Sequence, residues 1–204
     1  GTDFVNNDAN PMDDQGHGTH VAATAAGRGL LSGVAPEAKI LAYKVCNSAG
    51  SCSGSAIIAA IEKASDPDGN GDTSDHADVI NMSLGGGGSP NDEMSQAVDI
   101  SSGLGVVNVI SAGNSGPSPS TIGSPGLART AITVAAACKP SDVGKDSRCA
   151  QNIASFSSRG PEIWNGQNIN KPDVSAPGVN ICAARWGASF AAYPQCFDAQ
   201  HVRL

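Results

Sequence analysis

Residues 77–88 read ADVINMSLGGGG, an apolar stretch that ends in four consecutive glycines. Its length and its β-branched residues predict a strand over Ala77–Leu84, and the glycines mark the turn that ends it. Similar short apolar runs predict three further strands, at Lys39–Val45, Val106–Ala112 and Thr130–Ala136.

Helical patterns lie between these strands. The isoleucines of Ser55–Ala64 recur on one helical face, and Asn91–Ser102 follows Pro90 and carries acidic residues in its first turn. The alternation predicts a three-layer α/β fold, with a mainly parallel sheet and helices on both faces. Because ligands bind beyond the carboxyl ends of such strands, we expect sites near Gly85 and Asn114.

Composition and charge narrow the class of protein. Hydrophobic residues make up 40% of the 204 residues, which is enough for a packed core. The formal net charge is −7, and the 12 lysines and arginines do not cluster. The charge argues against a nucleic acid or an anionic membrane as partner. No apolar run approaches the roughly 20 residues that a membrane-spanning helix needs.

The six cysteines form no CxxC motif, which argues against a zinc ribbon. Six reduced, buried thiols are one alternative. We favour disulfides between sequence neighbours, which would indicate an oxidising, extracellular setting. The neighbouring pairs are Cys46 with Cys52, Cys138 with Cys149, and Cys182 with Cys196.

His17 precedes a helix of small residues, predicted over Val21–Ala26. The positive end of a helix dipole favours a neutral imidazole, which suits a general base. A purely structural histidine is the alternative. A dinucleotide-binding glycine motif fails because Val21 stands at the last glycine's place, and a zinc site with His20 lacks the expected glutamate.

Five motifs together resemble those of the subtilisin-like serine proteases, in the family's order. Residues 16–22 (GHGTHVA) resemble the histidine motif, 78–86 (DVINMSLGG) the substrate-binding strand and 111–114 (SAGN) the oxyanion-hole motif. Residues 156–161 (FSSRGP) and 171–179 (KPDVSAPGV) are similar to segments that follow in the family. The resemblance is to secreted bacterial members. It implies a serine endopeptidase with a polypeptide substrate and no organic cofactor, and it allows a propeptide in a longer protein.

The resemblance also implies roles for single residues. His17 would be the general base and Asn114 the donor to the oxyanion, although Asn114 followed by Ser-Gly also suits an ordinary turn. A Cys46–Cys52 disulfide would stiffen the rim of the substrate cleft. The cleft would be formed by Ser83, Leu84, Gly85, Ala112 and Gly113, with Gly50 and Ser51 on the opposite rim.

An acidic segment, DPDGNGDTSD at residues 66–75, has oxygen-bearing side chains at alternate positions followed by glycine. This spacing matches the opening of a calcium-binding EF-hand loop, but Ala77 stands where the EF-hand requires glutamate. The segment is therefore expected to be another kind of calcium loop, with a solvated acidic turn as the alternative. The expected ligands are Asp66, Asp68, Asn70, Asp72 and Asp75.

Two parts of the family's triad are difficult to find. The family order is Asp, His, Ser, yet Asp3, Asp13 and Asp14 all match positions after the family's aspartate strand. Ser189, in GASFAAYP, is the nearest match to the family's GTSMAxP motif, but its proline comes one residue late.

We therefore expect a partial peptidase domain over residues 1–184, representing the middle of the family's domain, and an atypical tail over residues 185–204. By itself this chain is expected to be inactive. One alternative is a catalytically dead homologue that binds peptides or calcium. Another is an unrelated α/β hydrolase, although no G-x-S-x-G motif is present.

Overall fold

A computed structural model describes residues 1–29, 31–184 and 201–203. The chain forms two compact units, which are described one after the other. One comprises Gly1–Ala60 with Asn180–Leu204, and the other comprises Ile61–Val179. None of the helices in the described part of the chain is long and apolar enough to span a bilayer. Ser189 and residues 185–200 of the predicted tail lie outside the described residues, so the predicted domain boundary stays a prediction.

The regular elements follow one another as helices and short strands. In chain order they are β1 (Thr2–Asp3), α1 (His17–Ala26), β2 (Tyr43–Lys44), α2 (Gly54–Ser65), a 3₁₀ turn (Thr73–Asp75), β3 (Val79–Met82), α3 (Glu93–Gly103), β4 (Val107–Ser111), β5 (Ile132–Ala137), β6 (Glu162–Trp164), β7 (Gln167–Ile169), β8 (Val174–Pro177), β9 (Cys182–Ala184) and β10 (His201–Arg203).

A four-stranded parallel sheet organises the larger unit, in the order β3-β4-β5-β8. Its first three strands and the helices α2 and α3 confirm the predicted α/β fold with a mainly parallel sheet. The edge strand β8 is an addition, because the sequence analysis used residues 171–179 only as a family motif. Its last residue is Pro177, and proline is tolerated at a sheet edge because it lacks a backbone N–H.

One face of this sheet is closely packed. Val98 of α3 and Ile110 of β4 are both almost fully buried. The helix begins at a well-formed cap, where the Asp92 carboxylate accepts a hydrogen bond from the Ser95 N–H at 2.9 Å. Buried Asn108 donates to the Ser102 hydroxyl at 3.1 Å. Apolar burial and the hydrogen bonds of the Asn108 amide N–H group therefore hold α3 on this face.

The other face of the same sheet carries exposed aliphatic side chains. Val79, Val107, Ile132 and Val174 are 55%, 44%, 39% and 51% exposed, respectively. The register of the four strands places all of them opposite the face that contains Ile110, because side chains alternate along a strand. The two faces of the sheet therefore differ sharply in burial.

The smaller unit contains two short strand pairs. β1 lies parallel to β2, and β9 lies antiparallel to β10. The predicted strand over Lys39–Val45 is reduced to Tyr43–Lys44, because β1 pairs with these two residues alone. Ile40 and Leu41, which precede β2, are each 51% exposed.

Disulfides form between sequence neighbours, as predicted. Cys46 is bonded to Cys52, and Cys138 is bonded to Cys149. Cys182 is also disulfide-bonded, which excludes the alternative of six reduced thiols. Its predicted pairing with Cys196 falls on a residue outside the described part of the chain.

Candidate active site

His17 is the first residue of α1, and its side chain is exposed. The Asp13 carboxylate holds this helix end with both oxygens. Oδ1 accepts from the N–H groups of Gln15 and Gly16 at 2.9 and 2.8 Å, and Oδ2 accepts from the N–H and hydroxyl of Thr19 at 2.8 and 2.6 Å. Asp13 thereby satisfies N–H groups that a helix start leaves without intrahelical partners.

These contacts lower the pKa of Asp13. Partial burial works to raise its pKa, but the Thr19 hydroxyl and the three N–H groups lower it to about 2. The carboxylate is therefore ionised at neutral pH. Sequence analysis weighed Asp13 only as a triad member and missed this anchoring role, because it predicted a helix that begins at Val21, whereas α1 begins at His17.

The second histidine of the motif has a structural position. His20 is buried, and its Nε2 lies 3.1 Å from the carbonyl oxygen of Ile181. An exposed His17 and a buried His20 thus divide the motif into one histidine that can meet a substrate and one that packs within the unit.

Asp3 and Asp14 share a lysine. Lys44 Nζ lies 3.0 Å from Asp3 Oδ2 and 2.7 Å from Asp14 Oδ2. Asp3 is almost fully buried and also accepts from the N–H groups of Val5 and Asn6. Burial works to raise the pKa of Asp3, but the hydrogen bonds from Asn6, Lys44 and Val5 hold it well below its usual value. Asp3 therefore anchors the turn that follows β1.

Asn114 lies in the loop that follows β4, and its side chain is exposed. The loop is fixed on both sides of Asn114. The Gly113 carbonyl accepts from the Ser158 N–H at 3.0 Å, and the Ser115 N–H donates to the Ser158 hydroxyl at 3.1 Å. Ala112, just before them, is 1% exposed and donates its N–H to Val134. The Asn114 amide is thus presented to solvent from a restrained backbone.

Ser158 is the residue that sequence analysis missed here. It is 1% exposed and lies within the FSSRGP motif, but nothing in that motif indicates contact with the Asn114 loop. Gly113 is needed for this contact. Its φ is +106°, and a Cβ there would lie 2.8 Å from the Ser158 hydroxyl oxygen.

The predicted substrate segments Ser83–Gly85 and Ala112–Asn114 lie close together in the structure, beyond the carboxyl ends of two neighbouring strands. They follow β3 and β4, whose last residues are close in the parallel register. The Ser111 hydroxyl donates to the Leu84 carbonyl at 3.4 Å, which links the two segments directly. The order of the sheet leaves β3 at its margin.

Gly50 and Ser51 belong to the smaller unit, in a tight turn closed by the Cys46–Cys52 disulfide. The Asn47 side chain accepts from the N–H groups of Ala49 and Ser51, both at 3.0 Å. A cavity of about 380 Å³ lies beside this turn. Its lining includes Phe4, Val45, Ser51, Ser53 and Ala56.

The acidic loop gathers three of its five predicted ligands. Carboxylate oxygens of Asp66, Asp68 and Asp75 lie within 4.8 Å of one another. The other two residues shape the backbone: Asn70 Oδ1 accepts the Asp72 N–H at 2.6 Å, and Asp72 Oδ1 accepts the Ser74 N–H at 3.0 Å.

Asp66 is the best-anchored carboxylate of this loop. The N–H of Gly71 has the largest effect in holding its pKa below the ordinary value, and the N–H groups of Gly69 and Asn70 add to it against the opposing effect of burial. Three carboxylates supply the hard oxygen donors that calcium prefers, so the residues present fit this ion.

Comparison with known proteins decides the family. The sequence model of the subtilase family of peptidases matches residues 1–200. This chain belongs to the subtilase family. The match excludes the alternative of an unrelated α/β hydrolase.

Curated subtilases share this similarity. Serine protease AprX of Bacillus subtilis (strain 168) is 39% identical over 194 residues, which cover 90% of this chain and 42% of AprX. Subtilisin DY of Bacillus licheniformis is 42% identical over 187 residues, covering 89% of this chain and 58% of that protein. The minor extracellular protease Vpr of Bacillus subtilis (strain 168) is 44% identical over 150 residues, covering 69% of this chain and 18% of Vpr.

Solved subtilase structures agree with the fold. A psychrophilic protease superposes with a TM-score of 0.73 at 38% identity, over 90% of this chain and 60% of that one. Sphericase gives a TM-score of 0.68 at 36% identity, over 85% and 56% of the two chains. The subtilase chain thus spans about half the length of several relatives that it matches. The subtilases that it resembles are serine endopeptidases.

Proposed function

We propose that this chain contributes to a secreted serine endopeptidase, in which His17 is the general base and Asn114 donates to the oxyanion. The restrained Asn114 loop is the observation that carries the proposal. Hydrolysis of a peptide bond needs a hydroxyl nucleophile, a base that takes its proton and a donor to the developing oxyanion. His17 and Asn114 offer the second and third of these.

A preorganised amide donor is valuable because it need not reorganise as negative charge develops. Contacts on both sides of Asn114 restrain its backbone in this way. In a subtilisin, loss of the oxyanion-hole asparagine lowers kcat by about 10²–10³-fold. That measured effect, from the same family, is our expectation for Asn114→Ala in any form of this subtilase that cleaves peptides.

We assign substrate binding to β3, an edge strand of the parallel sheet. An extended peptide can add to a sheet edge through main-chain hydrogen bonds, and β3 ends in the small residues Ser83–Gly85. Ala112 and Gly113 would form the neighbouring wall. In the smaller unit, the family pattern assigns Gly50 and Ser51 to a substrate rim, which the Cys46–Cys52 disulfide would stiffen. The disulfides fit an extracellular location, where a propeptide can precede a protease of this family.

The chain by itself is expected to be inactive, because the sequence around Ser189 departs from the family's serine motif. A fluorophosphonate probe and intact-mass analysis test this directly. We expect no labelling of the folded chain and none of its Ser189→Ala variant. Stoichiometric labelling that the Ser189→Ala variant abolishes would contradict the expected inactivity and identify the nucleophile.

A second candidate function is calcium binding, which the cluster of Asp66, Asp68 and Asp75 favours. Bound calcium would offset two of the three negative charges and brace the loop that leads into β3. Calorimetric titration of the EGTA-treated chain with CaCl₂ should show binding, and the Tm should rise with calcium. Asp68→Asn should weaken binding, whereas Glu37→Gln, in an exposed ion pair with Arg28, serves as the control. A Tm that neither EGTA nor calcium changes would refute this proposal.

A further inference from the structure

Two Asn-Gly pairs, Asn70-Gly71 and Asn165-Gly166, lie in turns of the larger unit. Asparagine is a chemically labile residue, and a following glycine increases its reactivity because no side chain shields the glycine nitrogen. All four residues are exposed. The two glycines have similar positive φ values, +84° for Gly71 and +75° for Gly166. The pairs therefore match in composition, exposure and glycine conformation, and they differ in their hydrogen bonds.

The reaction open to such a pair is deamidation, which needs only water. The glycine nitrogen loses its proton to hydroxide and attacks Cγ of the asparagine. The side-chain nitrogen takes a proton from water and leaves as ammonia, so that a five-membered succinimide ring remains. Water then opens the ring at either carbonyl carbon, which gives aspartate or isoaspartate. The side-chain amide must be able to turn towards the glycine nitrogen, and the glycine N–H must be able to ionise.

Hydrogen bonds hold both reacting groups of Asn70-Gly71. The Gly71 N–H donates to Asp66 Oδ2 at 2.9 Å, and an N–H that is bonded to a carboxylate resists loss of its proton. Asn70 Oδ1 accepts the Asp72 N–H at 2.6 Å, and Asn70 Nδ2 donates to Asp68 Oδ2 at 2.8 Å. The Asn70 amide is bonded through both of its polar atoms, so these bonds must break before it can react.

Asn165-Gly166 is the two-residue turn of the β6–β7 hairpin, enclosed by the pair Trp164 and Gln167. Both turn residues have positive φ, which is typical of the tight hairpin turn that Asn-Gly favours. Among the residues that the structure describes, none forms a hydrogen bond with the Asn165 side chain or with the Gly166 N–H. A Cβ at Gly166 would meet nothing within 4 Å. Neither reacting group of this pair is held.

We propose that Asn165 is a site of spontaneous deamidation in the folded chain, whereas Asn70 is protected. The change adds one negative charge to a chain whose formal net charge is −7. Isoaspartate also lengthens the backbone by one carbon atom, within a turn of only two residues. We therefore expect it to open the Trp164–Gln167 pairing. The proposal is independent of the peptidase assignment.

Peptide mapping by mass spectrometry tests the proposal on the full chain. The chain is incubated in a mildly alkaline buffer with EGTA, so that bound calcium does not add to the protection of Asn70. Deamidation raises the mass of a peptide by one dalton, and the isoaspartate form separates from the aspartate form by chromatography. Each Asn-Gly pair is followed in its own peptide, once in the folded chain and once in urea.

The comparison of rates decides the outcome. In urea neither turn persists, so the two pairs should react at similar rates. In the folded chain we expect Asn165 to react roughly tenfold faster than Asn70 or more, because the hydrogen bonds of Asn70 and Gly71 must break first. Equal rates in the folded chain, or a faster reaction at Asn70, would overturn the proposal.

Two variants assign the mass change to its residue. Asn165→Gly keeps a Gly-Gly turn that suits the same hairpin but has no side-chain amide, so the early mass increase should be lost. Asn70→Gln is the matched control, since glutamine would have to close a larger ring, and it should keep the rate of the wild type. An unchanged rate in Asn165→Gly would show that the reacting residue lies elsewhere.

A third variant tests why Asn70 is protected. Asp66→Ala removes the carboxylate that accepts the Gly71 N–H, so Asn70 should deamidate several-fold faster than in the wild type. Asp8→Ala removes an acceptor in an unrelated exposed turn and should change neither rate. An unchanged Asn70 rate in folded Asp66→Ala would contradict protection by this hydrogen bond. The comparison of the two pairs in the wild type remains decisive if Asp66→Ala does not fold.

Discussion

His17 and Asn114, which we assign to the same reaction, are anchored in contrasting ways within their separate units. The start of α1 is held by Asp13, whose partners all lie within six residues along the chain. The Asn114 loop is held by Ser158, whose hydroxyl accepts the N–H of a residue 43 positions away. The first anchor joins residues that are close along the chain, whereas the second joins residues that only the fold of the larger unit brings together.

The largest loss of stability is expected from a substitution that pushes Gly113 and Ser158 apart. Gly113→Ala places a Cβ at φ +106° and 2.8 Å from the Ser158 hydroxyl, so the free energy of unfolding should fall by about 1–3 kcal/mol. Urea denaturation measures this. Gly103→Ala is the control, because a Cβ there meets nothing within 4 Å. Equal losses in the two variants would mean that Ser158 does not restrict position 113.

Removing the local anchor should have a somewhat smaller effect. Asp13→Ala deletes the carboxylate that accepts from Gly16 and Thr19 at the start of α1, at a cost of about 0.5–2 kcal/mol. Hydrogen exchange should accelerate at the amides of Gly16 and Thr19 and remain slow at Ser115. Asp8→Ala, which removes an acceptor used by Asn10 in an exposed turn, should have little effect. Uniformly faster exchange in the Asp13 variant would contradict a local role.

Ser158→Ala tests the distant anchor by deletion. The Ser115 N–H loses its acceptor, so we expect a loss of about 1 kcal/mol and faster exchange of that amide. The cost of Gly113→Ala should also shrink in this background, because the clashing oxygen is gone. Ser141→Ala, at an exposed serine, provides the comparison. Additive costs for the two changes would show that Gly113 and Ser158 are not coupled.

The last test separates the two anchors by their dependence on pH. The pKa of Asp13 is lowered to about 2 in the folded chain, against 3.8 for a free aspartate. Its stabilising contribution is therefore complete above about pH 5 and is lost as the pH falls through 4 towards 2. The stability difference between the wild type and Asp13→Asn should narrow over this range, whereas that for Ser158→Ala should stay constant. A constant difference for Asp13→Asn would contradict the lowered pKa.

The contrast between local and distant contacts also explains which features the sequence could predict. Strands β3, β4 and β5 and helices α2 and α3 follow from apolar periodicity, which is a local property. The β6–β7 hairpin was missed although Asn165-Gly166, with both φ values positive, is a strong turn signal. That omission was avoidable.

Other features depend on contacts that no local pattern encodes. The lysine shared by Asp3 and Asp14 lies 41 and 30 residues away from them, and sequence analysis weighed both only as triad candidates. The acidic loop at residues 66–75 could be predicted only in part from its sequence. Its spacing predicts five oxygen ligands, which stays a prediction. It does not predict the hydrogen bonds by which the Asn70 and Asp72 side chains accept from the backbone of their own loop.

The unequal faces of the parallel sheet have a consequence for mutational tolerance. A saturation scan scored by folding of this chain should find Val79, Val107, Ile132 and Val174 permissive, since polar replacements there add hydration without opening a cavity. Their neighbours on the opposite face, such as Ile110, should accept almost nothing polar. Alternate residues along one strand should therefore differ in the substitutions that they allow, which would make the sheet's orientation visible in sequence variation alone.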